Sequence, residues 1–209
     1  MRKPIRHHYK RPYPRRPIPH WLGFLPSLVV LILISFLYSH KDGFHLDNGS
    51  GGADWRIGKP QATMWNASPP RKLPELRAFA LKLINRDRQI NGLSPLVEDP
   101  LLAQAAQLHA EDMKTRNYYN HVTPEGKTPT DRFAAIGGQG GVGENIMFQP
   151  GSFGSDSTLN WALIEKFQKV WMYSNGHRKN LLTASYTKVG YGIVSDSSSG
   201  KMYAVQKFQ

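Results

Sequence analysis

Residues 187–208 read TKVGYGIVSDSSSGKMYAVQKF. Val189, Tyr191 and Ile193 alternate with Gly190 and Gly192, the period of two that gives a strand one apolar face. Asp196-Ser-Ser-Ser-Gly200 has turn composition, and Lys201–Phe208 returns as the second arm of a β-hairpin. Upstream the period lengthens to that of helices. Ser157 or Thr158 can cap a helix reaching about Tyr173, with Leu159, Ala162, Leu163, Phe167, Val170 and Trp171 inward. Asn175-Gly176 breaks it, and a short turn spans His177–Leu182. Asp99-Pro100 opens a helix to about Arg116 with the stripe Leu102, Ala105, Ala106, His109 and Met113. From Leu73 to Asn91, Leu76, Phe79, Ala80, Leu83, Ile84 and Ile90 lie on one side and Arg77, Lys82, Arg86 and Arg88 on the other. Thr128-Pro129-Thr130-Asp131 caps a short helix through Ile136, and Glu144–Phe148 reads as a strand after a glycine-rich loop. Helices followed by antiparallel strands make an α+β domain over 73–209.

The whole chain has 209 residues, 40% hydrophobic and 20% charged, enough for one packed domain with additions and too apolar for wholesale disorder. The absence of cysteine excludes a disulfide framework, an iron–sulfur cluster, a thiolate zinc site and a thiol nucleophile. The net charge of +12 is concentrated at one end. Seven Lys and Arg and no acid fall in residues 1–20, leaving 20 basic against 15 acidic residues in the rest. The basicity therefore belongs to a tail, and no nucleic-acid partner is expected.

Residues 21–38, WLGFLPSLVVLILISFLY, carry no charge. As a helix they span about 27 Å, close to the hydrocarbon thickness of a bilayer. Trp21 and Tyr38 stand at the ends, where amphipathic rings favour the interface. A signal peptide would share the basic front and apolar middle, but the exits at Ser35 and Ser39 have Leu33 and Leu37 where cleavage wants small residues. The expectation is a single-pass signal-anchor, with 1–20 cytoplasmic by the positive-inside rule and the domain outside. Secretion after cleavage is the alternative. Residues 39–72, rich in Gly, Pro, Ser and Asn, read as a flexible stalk.

Several chemistries are missing from the domain. Residues 138–143 fit G-x-G-x-x-G formally, but they follow a helix and enter a strand, the reverse of a dinucleotide fingerprint. There is no Walker loop and no G-x-S-x-G elbow. His109 sits on an apolar helix face among Ala and Met, the setting of a satisfied, half-buried histidine rather than a metal ligand. What remains is His121, Glu144, Glu165 and His177, at turns and on separate elements. Two imidazoles and two carboxylates can bind a divalent metal or form an acid/base pair. They can equally form a hydrogen-bonded cluster that locks loops to the core.

The run Leu83-Ile-Asn-Arg-Asp-Arg-Gln-Ile-Asn-Gly-Leu-Ser-Pro-Leu96, then LHAEDM (108–113), NYYNH (117–121), PEGKTPTDRF (124–133), GENI (143–146) and WMYSNGHRKNLL (171–182), resembles the CAP superfamily. These are the cysteine-rich secretory, antigen 5 and pathogenesis-related 1 proteins, also called SCP-like, and the likeness is nearest to their cysteine-free bacterial branch. The resemblance implies a three-layer α–β–α sandwich with a central antiparallel sheet. It also implies a cleft with two His and two Glu that in some members binds a divalent cation. His121, Glu144 and His177 match that pattern and are the metal ligands it implies, for Zn²⁺ or a similar ion. The second glutamate stands in many members five residues before the tryptophan. Here that slot is Lys166, and Glu165 is one residue away, a rotation of about 100° on a helix.

The resemblance implies a binding module for an extracellular peptide, lipid or cell-wall ligand and assigns no single reaction. The alternative is a hydrolase acting on peptide or cell-wall substrate through a metal-bound water or a His–Glu pair. The lack of an evident nucleophile weighs toward binding. Sterol or fatty-acid binding occurs among relatives, but this sequence shows no diagnostic lipid motif. If residues 21–38 are an uncleaved anchor, the full chain stays in the membrane fraction through a high-salt wash. A mature N-terminus found by sequencing between Ser35 and Asp54 would overturn the anchor.

Overall fold

In a computed structural model, residues 55–63, 68–151 and 157–209 are described. The expected basic tail and apolar run lie outside these residues. Among the described residues, no helix is long and apolar enough to cross a membrane.

Helix α1, Leu73–Ile90, buries Leu76, Phe79, Ala80, Leu83 and Ile84. It ends at Asn91-Gly92, where Gly92 takes a left-handed φ of 75° and Leu93 N–H closes back on Arg88 O at 3.0 Å. A two-residue strand β1, Val97–Glu98, leads to helix α2, Pro100–Thr115. The Asp99 carboxylate accepts from Leu101 and Leu102 N–H, both at 2.9 Å, and Pro100 occupies the first turn. Helix α3, Pro129–Ala134, begins on the Thr128–Asp131 capping box. Strand β2, Gly143–Gln149, precedes helix α4, Trp161–Tyr173, and helix α5, Asn175–Leu181. Strands β3, Lys188–Ser195, and β4, Met202–Phe208, form the hairpin.

The sheet order is β1-β3-β4-β2. β3 pairs with β4 and β4 with β2 antiparallel, but β1 runs parallel to β3. The sheet is therefore mixed, which corrects the expectation of a wholly antiparallel one. Two residues carry no periodicity. β1 exists because Val97 N–H reaches Thr187 O at 3.0 Å and Asp99 N–H reaches Val189 O at 2.9 Å.

Alternation sorts the side chains into two cores. Val189, Tyr191, Ile193, Met202, Ala204 and Phe208 face α1 and α4. Ile146, Tyr203 and Val205 face α2 through Ala106, Ala110 and Met113. Layers of helix, sheet and helix result, as the resemblance implied. The α1/α4 side also holds a buried polar seam. Asn145 Nδ2 donates to Gln206 Oε1 at 3.0 Å, Gln206 Nε2 to Gln168 Oε1 at 3.2 Å, and Gln168 Nε2 to Asp87 Oδ2 at 2.8 Å.

Three further expectations change. Arg88, placed with the polar residues of α1, is fully buried. Its guanidinium donates to the carbonyls of Ser94, Leu181, Thr183 and Tyr186 at 2.8, 2.9, 2.9 and 3.3 Å, tying α1 to the chain after α5. Helix α4 starts later than Ser157 or Thr158 because Asn160 caps it, accepting Leu163 N–H at 2.9 Å. Its buried face is therefore Leu163, Ile164, Phe167, Gln168, Trp171 and Met172, and Ala162 is exposed. Residues 55–63, read as part of a flexible stalk, instead lie against the domain. Trp55, Ile57 and Ala62 pack on the α1/α4 core.

Helix α2 rests directly on β3 at its glycines. A Cβ on Gly190 would lie 2.1 Å from Ala103 N and Leu102 C, and one on Gly192 would lie 2.4 Å from Ala106 C. These are backbone atoms of a packed helix and cannot step aside as a side chain can. Gly190→Ala is expected to cost about 3 kcal/mol, the upper range of overpacking. Urea unfolding checks this, and a change under about 0.5 kcal/mol, ordinary for a surface site, would contradict it.

Candidate functional site

The site is built around Glu144, the second residue of β2. Alternation points its side chain toward α2, and the β2–β4 register sets Lys207 directly opposite. Lys207 Nζ donates to Glu144 Oε2 at 2.7 Å, with both side chains almost wholly buried. Arg132, from α3, donates through Nη2 to the same oxygen at 2.7 Å. The other oxygen, Oε1, accepts from His121 Nδ1 at 2.9 Å and lies 3.8 Å from His109 Nε2. One carboxylate thus gathers a lysine, an arginine and two imidazoles.

The loop after α2 is held to this centre by its own carbonyls. His109 Nε2 lies 3.1 Å from Asn120 O. Arg132 Nη1 donates to His121 O at 2.7 Å and to Lys127 O at 2.9 Å. His121 is thereby carried to the surface, its side chain 47% exposed, with Nδ1 turned inward. Because an ionised carboxylate can only accept, Nδ1 bears a proton, and Nε2 is an acceptor in the neutral ring and a second donor in the protonated one.

Burial opposes the charge on Glu144, but the His121 hydrogen bond and the charges of Lys207, His109 and Arg132 overcome it and hold the carboxyl at about 2. Burial lowers the Lys207 ammonium from its ordinary value, against the attraction of Glu144. For His109 burial dominates, the attraction of Glu144 is outweighed, and the ring is lowered to about 4, so it is neutral at physiological pH.

The other two candidates are placed differently. His177 lies on α5, with Nδ1 2.9 Å from Ser174 Oγ and its carbonyl accepting from Asn145 Nδ2 at 3.1 Å. Asn180, one turn on, donates to Glu144 O at 3.0 Å and to Asn145 Oδ1 at 2.8 Å, docking α5 on the start of β2. Glu165 faces the segment 55–63. Its Oε2 accepts Gln61 N–H at 2.9 Å and Ala62 N–H at 3.1 Å, and its Oε1 takes Arg86 Nη1 at 2.5 Å. Lys166, in the slot of the second glutamate, reaches Gln149 Oε1 at the far end of β2 at 2.9 Å.

The sequence reading missed Arg132 and Lys207 and gave His109 only a structural place. Lys207 had a signal: it shares the inward parity of Tyr203 and Val205 on β4. Arg132 carried none beyond its place in the TPTDRF stretch.

These residues do not suit a resident divalent ion. Both oxygens of Glu144 are engaged, one of them by the cationic side chains of Arg132 and Lys207, which repel a metal. Among the described residues no group of three or more His, Asp or Glu side chains is placed to hold one.

A family model described as CAP, the cysteine-rich secretory protein family, matches residues 81–208. The chain belongs to the CAP family. Over 139 residues it is 32% identical to the uncharacterized protein YkwD of Bacillus subtilis (strain 168), covering 66% of this chain and 50% of the relative. It is 34% identical over 113 residues to the uncharacterized membrane protein YlbC of the same organism, covering 54% and 30%. The crystal structure of an extracellular SCP-domain protein from Bacillus anthracis str. Ames superposes with a TM-score of 0.53 at 29% identity, over 68% of this chain and 44% of that one. The chain thus spans half or less of the curated relatives it matches.

The buried centre of this CAP domain makes its stability depend on pH in two windows. His109 titrates near 6.5 when unfolded and about 4 when folded, so its contribution is lost as pH falls from about 6.5 to 4. Glu144 is lowered from 4.5 to about 2, so its contribution is present above 4.5 and lost below. Each amounts to about 3 kcal/mol, at 1.36 kcal/mol per pH unit. Urea unfolding from pH 7 to 4 should show the first loss, and His109→Gln should flatten it. A wild-type profile flat over that range would contradict the assignment.

Proposed function

We propose that this CAP domain is an exported, membrane-tethered binding module whose His121 face takes an extracellular ligand through a carboxylate. Such a group is carried by free peptides and by cell-wall peptides. One observation carries the reading: Glu144 is outnumbered by Lys207 and Arg132, so the buried centre is net positive beneath the exposed His121 ring. A positive centre beneath a partly exposed imidazole favours an anionic group over a cation, and with Nδ1–H given to Glu144 the ring donates to that group through Nε2–H in its protonated form. Export and tethering rest on the basic tail and the 18-residue apolar run. They are supported by one similar structure being of an extracellular protein and one relative being named a membrane protein.

The hydrolase reading has one observation in its favour, the His121–Glu144 hydrogen bond of 2.9 Å, which orients a ring as a general base is oriented. Such a base needs a nucleophile within reach. Among the described residues, the hydroxyls recorded against an imidazole are Ser174, which meets His177, and Tyr118, which meets His109, and neither is recorded against His121. The docking reading is preferred for that reason.

The probes are purified cell-wall sacculi and a short peptide with a free or an amidated C-terminus. The full chain should retain sacculi and the free peptide, with weaker retention of the amide and at higher salt. His121→Ala should weaken binding about tenfold, the loss of one charge-assisted contact of about 1.4 kcal/mol. Equal retention of both peptides, or no effect of His121→Ala, would overturn the proposal. Cleavage of either probe would transfer the site to the hydrolase reading.

A further inference from the structure

The layer of α1 and α4, across the sheet from Glu144, carries a second set of polar side chains that bind main chain rather than one another alone. Asn91 reads one residue in both directions: Arg56 N–H donates to its Oδ1 and its Nδ2 donates to Arg56 O, each at 2.7 Å. Gly58 N–H donates to Asp87 Oδ1 at 2.9 Å. Arg86 Nη1 donates to Lys59 O at 3.0 Å. Glu165 Oε2 accepts two successive N–H groups, Gln61 and Ala62. Five residues of an extended segment are thus held by main-chain hydrogen bonds to four side chains of two helices. This is how a groove recognises a peptide through its backbone.

Specificity is present as well. Trp55 packs edge-on against Tyr173 with ring centroids 5.3 Å apart, and the Arg178 guanidinium lies 4.3 Å from its ring centre. At Gly58 a Cβ would come within 2.4 Å of Arg86 Cδ and 2.5 Å of Cγ. That side chain cannot swing aside cheaply. Its Nε and Nη2 are fixed on Asp87 at 2.8 and 2.9 Å, and its Nη1 on Glu165. Asp87 is itself buried and held by Gln168. The groove therefore selects an aromatic residue and, three positions on, a glycine.

We infer that the α1/α4 layer is a peptide-binding groove for extended segments of the pattern Trp-x-x-Gly, and that its resident ligand is residues 55–63 of the same chain. The clamp fixes the domain to the chain that precedes it, and Glu165 serves this groove. The assignment is independent of any ligand at His121.

The test uses the full chain in detergent, with trypsin as the probe of the Arg56–Ile57 bond. The carbonyl of that bond is held by Asn91, so the bond is protected while the segment is docked. Wild type should resist cleavage there. Gly58→Val, which alters the ligand and leaves the groove intact, should be cleaved at least about tenfold faster, as should Glu165→Gln to a smaller degree, with the thermal unfolding of the domain retained as the check on folding. A labelled synthetic peptide of residues 54–63 should then bind the Gly58→Val chain, should not bind wild type whose groove is filled, and should fail to bind when it carries valine at position 58. Equal cleavage of wild type and Gly58→Val would overturn the clamp. A peptide that does not bind the Gly58→Val chain, or binds equally with valine at 58, would overturn the groove.

Discussion

The buried pair of Glu144 and Lys207 is the constraint on which this domain is organised. Two opposite charges face each other across the β2–β4 ladder with almost no solvent. Removing Glu144 would leave Lys207 charged and uncompensated in the interior, a cost of about 3–5 kcal/mol. The pair is tolerable only because the remaining lone pairs are used, by Arg132 from α3 and His121 from the loop after α2. Those bonds in turn fix the loop, since Arg132 also binds the carbonyls of His121 and Lys127. A single charge placed on a strand therefore decides where a helix and a loop must sit.

The same logic explains the electrostatic character of the exposed face. Glu144 is counted once, against Lys207 and Arg132, so what reaches the surface through the His121 ring is not a carboxylate. The pattern of two His and two Glu implied by the resemblance describes a cation site. In this chain His121 meets Glu144 while His177 meets Ser174, and the central carboxylate is surrounded with positive charge. The fourth position holds Lys166, which reaches Gln149 at the far end of β2.

The opposite side of the sheet is organised by neutral amides. Asn145 and Gln206 stand opposite each other on β2 and β4, and Gln168 passes their hydrogen bonds to Asp87 beneath the segment 55–63. Each amide both donates and accepts, so the seam is satisfied without charge until Asp87, where Arg86 lies 2.8 Å away. A polar seam that is satisfied along its length holds one register of strand on strand, because a slip by one residue would strand its members among apolar groups.

The helices, the hairpin and the caps of this domain were legible in the sequence because each is written by near neighbours: Asp99 caps the two residues after it, and Val189, Tyr191 and Ile193 alternate along one strand. The ordered motifs from Leu83 to Leu182 carried the family. The pairing of β1, the burial of Arg88 and the composition of the Glu144 centre were not legible in this way. Lys207 is 63 residues from Glu144 in the chain, and Glu165 is 104 from the Gln61 N–H it accepts. Residue type counted Glu165 among the cleft candidates, whereas the rotation of α4, fixed by the Asn160 cap and the burial of Phe167 and Trp171, turned it toward residues 55–63. Sequence by itself determined which segments are helix or strand and which side of each is apolar. Tertiary structure decided which charges meet, because a charge finds its partner through the packing of whole elements, and no local pattern encodes that distance.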